Sequence, residues 1–272
     1  MRVAIILACY NRMEKTQQCL ETLEKIRIKE SDFDFEYWIC DDNSTDGTQN
    51  MIKELCPHAH LLISKGELYW CKSMYWAMKE AIKTEYDFYL MVNDDVLFYD
   101  DFWTIMYQTY LAAGCSCGVV GTTQYEQVIT YGGRDENNKL IMPSNELKTC
   151  YWTNWNCFLI DRKVVELVGI IDNKYQHSYG DYDYAHRMRK RNIPIFVALQ
   201  CVGECKPNMN SNMIKDNQYT RIKRLKSLFS IKGIPVYSYF RFNYRVYGIR
   251  GVFKAIYGYS SLIGYILLNK SI

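Results

Sequence analysis

Three stretches of the chain bring carboxylates together where apolar runs end. Tyr86 to Phe98 holds a run of strand length that stops at Asn93-Asp94-Asp95 and then turns apolar again. Phe35 to Cys40 runs into Asp41-Asp42-Asn43-Ser44-Thr45-Asp46-Gly47-Thr48, and Asp181 and Asp183 follow Gly180. Adjacent carboxylates after an Asn suit a divalent cation that prefers hard oxygen ligands. A carboxylate can also accept hydrogen bonds from a nucleobase edge or ribose hydroxyls. A third, separate carboxylate can take a proton from an attacking hydroxyl. Helix N-caps or Asx turns account for any one of these loops. All three in order, at strand or helix ends, describe a group-transfer site.

The elements that would position them alternate. Residues 3–8 and the run before Asn93 read as buried strands, Phe35 to Cys40 as a second strand and His60 to Ile63 as a third, short one. Helical spacing follows the first in Leu20, Leu23 and Ile26, the second in Met51, Ile52 and Leu55, and the third in Tyr75, Met78, Ala81 and Ile82. Such alternation predicts a mostly parallel, doubly wound α/β sheet, with ligands outside the carboxyl ends of the strands. Asp41-Asp42 and Asp94-Asp95 should then face one crevice. Beyond Phe102 the alternation loosens. Strands are expected at Gly118 to Thr122, Val128 to Arg134, Trp152 to Ile160 and Ile195 to Leu199, and a helix at Arg162 to Val168 closed by Gly169.

Several chemistries are excluded by missing motifs. No Gly-x-Gly-x-x-Gly follows the first strand, no Gly-x-x-x-x-Gly-Lys-Ser/Thr exists, and no Gly-x-Ser-x-Gly elbow is present. The 11 cysteines are odd in number and form no Cys-x-x-Cys pair, which suits reduced thiols packed as small hydrophobes in a reducing compartment. A net charge of +3 conceals a division: residues 217–272 carry ten basic side chains and no acidic one, so the remainder is net negative. Such a division implies two kinds of partner.

Together the motifs resemble family-2 glycosyltransferases of the GT-A fold, the inverting enzymes that build bacterial surface polysaccharides. The resemblance covers roughly residues 2–208 and rests on three segments. Asp41-Asp42-Asn43-Ser44-Thr45-Asp46-Gly47-Thr48 is similar to the family's Asp-Asp-x-Ser-x-Asp-Gly-Thr loop. Asn93-Asp94-Asp95 is similar to its Asp-x-Asp element, with Asn in the first place. Gly180-Asp181-Tyr182-Asp183-Tyr184-Ala185-His186-Arg187 is similar to Glu-Asp-x-Asp/Glu-Leu-x-x-Arg, with Gly where Glu is common.

The resemblance implies a sugar-nucleotide donor, a UDP- or dTDP-sugar, with its nucleobase held by Tyr10 and Asp41 or Asp42. Asp94 would touch the ribose, and Asp95 would hold Mg²⁺ or Mn²⁺ on the diphosphate. Asp181 would activate the acceptor hydroxyl, with Asp183 or His177 as a second acid or acceptor contact. Arg12, Trp70, Trp152 and Trp155 are candidate sugar contacts; ordinary core packing is the competing account of the tryptophans. The acceptor would be a glycan or a lipid-linked glycan.

On this reading residues 1–210 form the GT-A domain, with a nucleotide-binding half (1–100) and an acceptor-binding half (101–210). Residues 211–272 form a basic, aromatic, largely helical extension. Ala255 to Leu268 is apolar but short of the roughly 20 residues a spanning helix needs. The extension therefore suggests an anionic membrane surface rather than nucleic acid, and a peripheral location on the cytoplasmic face. Two other functions share these features: a nucleotidyltransferase that makes sugar nucleotides, and a non-catalytic carbohydrate- or membrane-binding module. The first would want a glycine- and lysine-rich phosphate loop where Ala8-Cys9-Tyr10-Asn11-Arg12 stands.

Overall fold

The computed structural model describes residues 1–114, 116–207 and 213–268. The expected division at residue 210 and Lys270 lie outside the described residues.

The parallel half of one sheet consists of β1 (Arg2–Cys9), β2 (Asp34–Asp41), β3 (His60–Ile63) and β4 (Phe88–Asn93), with β1 and β4 almost wholly buried, β2 partly buried and β3 half exposed at the edge. All three pairings among them, β3–β2, β2–β1 and β1–β4, are parallel. Between them lie α1 (Met13–Lys29), α2 (Thr48–Leu55) and α3 (Tyr69–Ala81). Side chains alternate along β1. Val3, Ile5 and Leu7 face a core shared with Leu20 and Leu23, and Ala4, Ile6 and Ala8 face one shared with Met74 and Met78. Burial on both faces is what a continuous apolar strand requires.

The second half is mixed. It runs through β5 (Leu97–Phe98), α4 (Phe102–Ala113), β6 (Gly118–Tyr125), β7 (Val128–Tyr131), β8 (Lys148–Thr149), β9 (Cys157–Asp161), α5 (Arg162–Val168), α6 (Gly180–Arg189) and β10 (Ile195–Glu204). The sheet order is β3-β2-β1-β4-β9-β6-β10-β5, and β9 runs antiparallel to both neighbours.

Helix α4 was not anticipated. Phe102, Trp103, Ile105, Met106, Thr109 and Tyr110 are all buried, so no polar face marks the helical period. The strand expected at Trp152 to Ile160 begins only at Cys157; Trp152 makes an isolated bridge to Arg134.

The extension is helical: α7 (Arg221–Phe229), α8 (Val236–Tyr247) and α9 (Ile249–Leu267). It packs back on the sheet domain. Phe242 of α8 joins the core beside Trp152 and Tyr179, and Arg241 and Arg245 both bond the Asp172 carboxylate, at 2.7 and 2.5 Å. Among the described residues no helix is long and apolar enough to cross a membrane. The ten described cysteines form no disulfide with one another, and nine of them are buried.

Candidate active site

The loops leaving β1 and β2 are sewn together before any ligand is considered. Asn11, at φ 48°, donates its backbone N–H to Ser44 Oγ and accepts from the Thr45 N–H, each at 2.8 Å. The Met13 N–H, opening α1, donates to Asp46 Oδ2 at 2.9 Å. Asn tolerates the left-handed backbone that this crossing requires.

Within that frame Asp41 and Asp42 part company. Buried Asp41 accepts from the Ser44 N–H and Gln49 Nε2, both at 2.8 Å, and so shapes its own loop. Asp42 accepts from Ser64 Oγ, the Leu68 N–H and the Tyr69 N–H, at 2.6, 3.1 and 2.8 Å. It thereby ties the loop after β3 to the start of α3, and it lines a cavity of about 420 Å³.

That cavity lies outside the carboxyl ends of β1, β2 and β4, lined by Tyr10, Arg12, Asp42, Tyr69, Trp70, Asp94, His177 and Lys232 among others. The position is where open α/β sheets bind ligands. Tyr10 is 51% exposed, leaving its ring free for stacking. Asp94 is buried, accepting from Arg12 Nη1 at 2.9 Å and Thr16 Oγ1 at 3.2 Å. Burial pushes its carboxyl up to about 6, with Arg12 pulling the other way. The same Arg12 nitrogen reaches Asp95 Oδ2 at 3.0 Å. Burial works against the guanidinium charge, but the two carboxylates outweigh it and raise its pKa.

Two carboxylates already converge on one cationic centre here. Among the described residues no group of three or more His, Cys, Asp or Glu forms a complete metal cage. The donor set therefore fits a cation of the Mg²⁺ type, which is held by one or two carboxylates and completes its shell with phosphate oxygens and water.

Asn93 does different work. Its Oδ1 accepts from Trp70 Nε1 at 2.8 Å, fixing the indole that lines the cavity. Trp152 and Trp155, expected to touch a sugar, lie in the core at 4% and 1% exposure. Trp152 stacks on Tyr182 and against Phe242, and Trp155 stacks on Phe158. Neither lines the cavity, because the aromatic core takes both rings.

His177 arrives from the segment between α5 and α6. That segment is fixed by Cys71 N–H donating to the Gln176 carbonyl at 3.1 Å and Gln176 Nε2 donating to the Glu67 carbonyl at 3.3 Å. Burial, then the charges of Lys232 and Arg12, lower its pKa to about 4, so it is neutral at pH 7. Its Nδ1 is buried with no hydrogen-bond partner among the described residues.

Asp181 and Asp183 also separate. Asp183 is fully buried; Tyr175 Oη donates to it at 3.1 Å, and Arg187 and Arg245 pair with it at 3.0 and 3.1 Å. A carboxylate so enclosed cannot meet an acceptor, which removes the second-acid expectation for this residue. Asp181, at the N-terminus of α6, accepts the Tyr182 N–H at 2.9 Å, and burial pushes its carboxyl up to about 7. It follows the cavity-lining His177 by four residues without itself lining the cavity. Gly180 is required beside it, because a Cβ there would collide with Cys71 Sγ and approach Ile171. The acid expected in that place has no room.

Lys232 was not singled out from sequence, and no local motif marks it. Only the docking of the extension brings it to the cavity.

The fold is similar to that of solved structures at low identity. One is the mannosyltransferase PcManGT from Pyrobaculum calidifontis in complex with GDP-Man and Mn²⁺, with TM-score 0.57 and 14% identity over 97% of this chain and 75% of that one. Another is S. aureus TarS 1–349 in complex with UDP-GlcNAc, with TM-score 0.58 and 13% identity over 99% of this chain and 93% of that one. The longer S. aureus TarS gives TM-score 0.61 at 13% identity, over 98% of this chain and 55% of that one. A search of curated proteins finds no match to this sequence. The architecture is GT-A: a central sheet flanked by helices, parallel in its first half. The model of Glycosyl transferase family 2 matches residues 4–170, more than half of the chain, and stops short of Asp181. The chain belongs to glycosyl transferase family 2, and the protein is a glycosyltransferase.

Proposed function

We propose that the protein moves a sugar from a nucleotide-sugar donor, a UDP- or dTDP-sugar, to a hydroxyl of a glycan or lipid-linked glycan with inversion. The observation that carries this reading is that Arg12 and Asp94, on the lining of a cavity outside the parallel strands, are tied to the adjacent Asp95, which lies off that lining, through one guanidinium nitrogen. Residues 1–100 bind the nucleotide and residues 101–210 the acceptor. Tyr10 stacks on the base and Asp42, held in place by its three donors, stands at the nucleoside end. Asp41 shapes the loop, Asp94 meets the ribose, and Trp70 offers its face to the donor sugar.

Asp95 would hold Mg²⁺ or Mn²⁺, which when bound neutralises charge on the diphosphate leaving group. Asp181 acts as the general base. A carboxyl raised to about 7 is matched to taking a proton near neutral pH. As the acceptor oxygen bonds the anomeric carbon, its proton passes to Asp181 and the bond to the diphosphate oxygen breaks. Neutral His177, which lines the same cavity as Arg12, serves the diphosphate end on this reading.

The acceptor reading extends to a membrane surface on the cytoplasmic side. Along α9, Ile249, Phe253, Ile256, Tyr257 and Leu267 are exposed, flanked by the exposed Arg250 and Lys254. An apolar stripe with basic neighbours is complementary to anionic lipid. Deleting residues 217–272 would also strip Phe242 from the core and Arg245 from Asp183, so point changes are the cleaner test. The double change Phe253→Ser and Tyr257→Ser should abolish flotation with phosphatidylglycerol vesicles. Flotation equal to wild type would remove the membrane from the reading.

The whole proposal is tested by thermal-shift screening with UDP-, dTDP- and GDP-sugars, with and without Mn²⁺, followed by product analysis of the stabilising donor. Absence of stabilisation and of hydrolysis across the panel would leave a non-catalytic module as the better account.

A further inference from the structure

The basic extension contributes more than a candidate membrane surface. Lys232 lies in the turn between α7 and α8, yet it lines the same cavity as Arg12, Asp94 and His177. The turn is held firmly. Ser230 N–H donates to the Ser227 carbonyl at 3.2 Å, Gly233 N–H to the Ser230 carbonyl at 3.0 Å, and Ile234 N–H to the Leu228 carbonyl at 3.0 Å. Gly233 is what permits this, since a Cβ would run into the Ser227 carbonyl oxygen. Tyr259 Oη of α9 donates to the Ile234 carbonyl, and Leu228 is buried in a small core with Tyr259 and Ile266. Arg241 and Arg245, bonded to Asp172 and Asp183, then fasten the whole extension to the catalytic domain.

Charge accounting around the cavity singles this lysine out. Asp42 is satisfied by three donors, and Asp94 by Arg12 and Thr16. Glu67 is the remaining acidic residue on the lining, and its exposed side chain makes no ion pair among the described residues. Lys232 also forms no ion pair among the described residues, although it lines the cavity with His177 and its charge acts on that imidazole. An ammonium without a carboxylate partner is complementary to a phosphate oxygen of a bound ligand.

We propose that Lys232 is a binding residue for the diphosphate of the donor, delivered to the active site by the docked extension. The inference rests on the nucleotide-sugar reading above and deepens it. Residues 217–272 become part of the catalytic unit, joining acceptor-side docking to donor binding. Lysine is apt for this as a compact point charge, whereas Arg12 is committed to two carboxylates.

Calorimetry with UDP, dTDP and GDP in the presence of Mn²⁺, alongside the matching nucleosides, tests this on the full chain. For the diphosphate that binds wild type, Lys232→Met should weaken binding about tenfold, or about 1.4 kcal/mol. Nucleoside binding should be unchanged, and Lys232→Arg should restore most of the diphosphate affinity. Lys232 is exposed, so both variants should melt with wild type. Wild-type diphosphate affinity in Lys232→Met would overturn the assignment while leaving the function intact. A wild-type protein that binds none of the three diphosphates would instead sink the nucleotide-sugar reading, and Lys232's role with it.

Discussion

Arg12 Nη1 stands 2.9 Å from Asp94 Oδ1 and 3.0 Å from Asp95 Oδ2, so one guanidinium serves as counter-ion to two adjacent carboxylates. Without it, like charges would face each other at the edge of a partly buried cavity, an arrangement relieved by binding a cation or a proton. In Arg12→Ala, Mn²⁺ affinity in the absence of nucleotide should rise by about tenfold, equivalent to about 1.4 kcal/mol. Nucleoside diphosphate affinity should fall. Manganese titration followed by electron paramagnetic resonance checks the first point; an unchanged isotherm would show that Arg12 and the metal do not share the Asp94–Asp95 site.

Asp95→Ala should lose the part of donor binding that depends on the divalent ion. Calorimetry with and without Mn²⁺ would read this as affinity that no longer responds to metal. A metal response equal to that of wild type would take Asp95 out of the role proposed for it.

Asp181 gives a pH profile with a defined sign. A base works when deprotonated, and burial holds this carboxyl at about 7, so kcat should climb with pH through about 7. Asp181→Asn should keep donor affinity and lose transfer, by about 10²-fold or more. Stability moves the opposite way. A folded pKa above the ordinary carboxylate value favours the protonated form, so that contribution is present at low pH and lost as pH rises through about 7. The Asn variant, which cannot ionise, should therefore melt higher than wild type at pH 8, and the gap should narrow as pH falls towards about 4. Transfer at the wild-type rate in Asp181→Asn would end its candidacy as base.

Asp183, two residues on, should behave in reverse. Removing it strands Arg187 and Arg245 beside a fully buried site, a loss of about 3–5 kcal/mol. Asp183→Ala should melt far below wild type and loosen α8, seen as faster hydrogen exchange in residues 236–247. An unaltered melt would mean that the buried pairs do not hold the extension.

The Asn93–Trp70 bond predicts a smaller effect. Asn93→Leu leaves the Trp70 N–H without its acceptor, at a cost of about 1–3 kcal/mol, and should raise the donor KM as the indole loses its orientation. Asn93→Asp keeps an acceptor and should retain both. Equal melting and KM for Asn93→Leu would show that the hydrogen bond does not orient the ring.

The sequence by itself determined the parallel half of the sheet. β1 and β4, buried on both faces, must be apolar almost throughout, and α1 keeps a polar side, so both periods can be read directly there. The Asp41-Asp42 and Asp94-Asp95 loops were legible for the same reason: strand ends fix where they fall. Composition hid α4, whose exposed face carries Leu111 and Ala112 beside Gln108, and packing hid the fate of Trp152 and Trp155, since a ring that binds sugar and a ring that fills a core are the same residue type. Only the tertiary structure divided the acid pairs, Asp41 from Asp42 and Asp181 from Asp183. Hydrogen-bond partners far along the chain made that division, as Arg245 does for Asp183. The same long-range docking turned part of a basic tail inward and brought Lys232 to the cavity, because charge along a sequence fixes attraction but not the face to which it is applied.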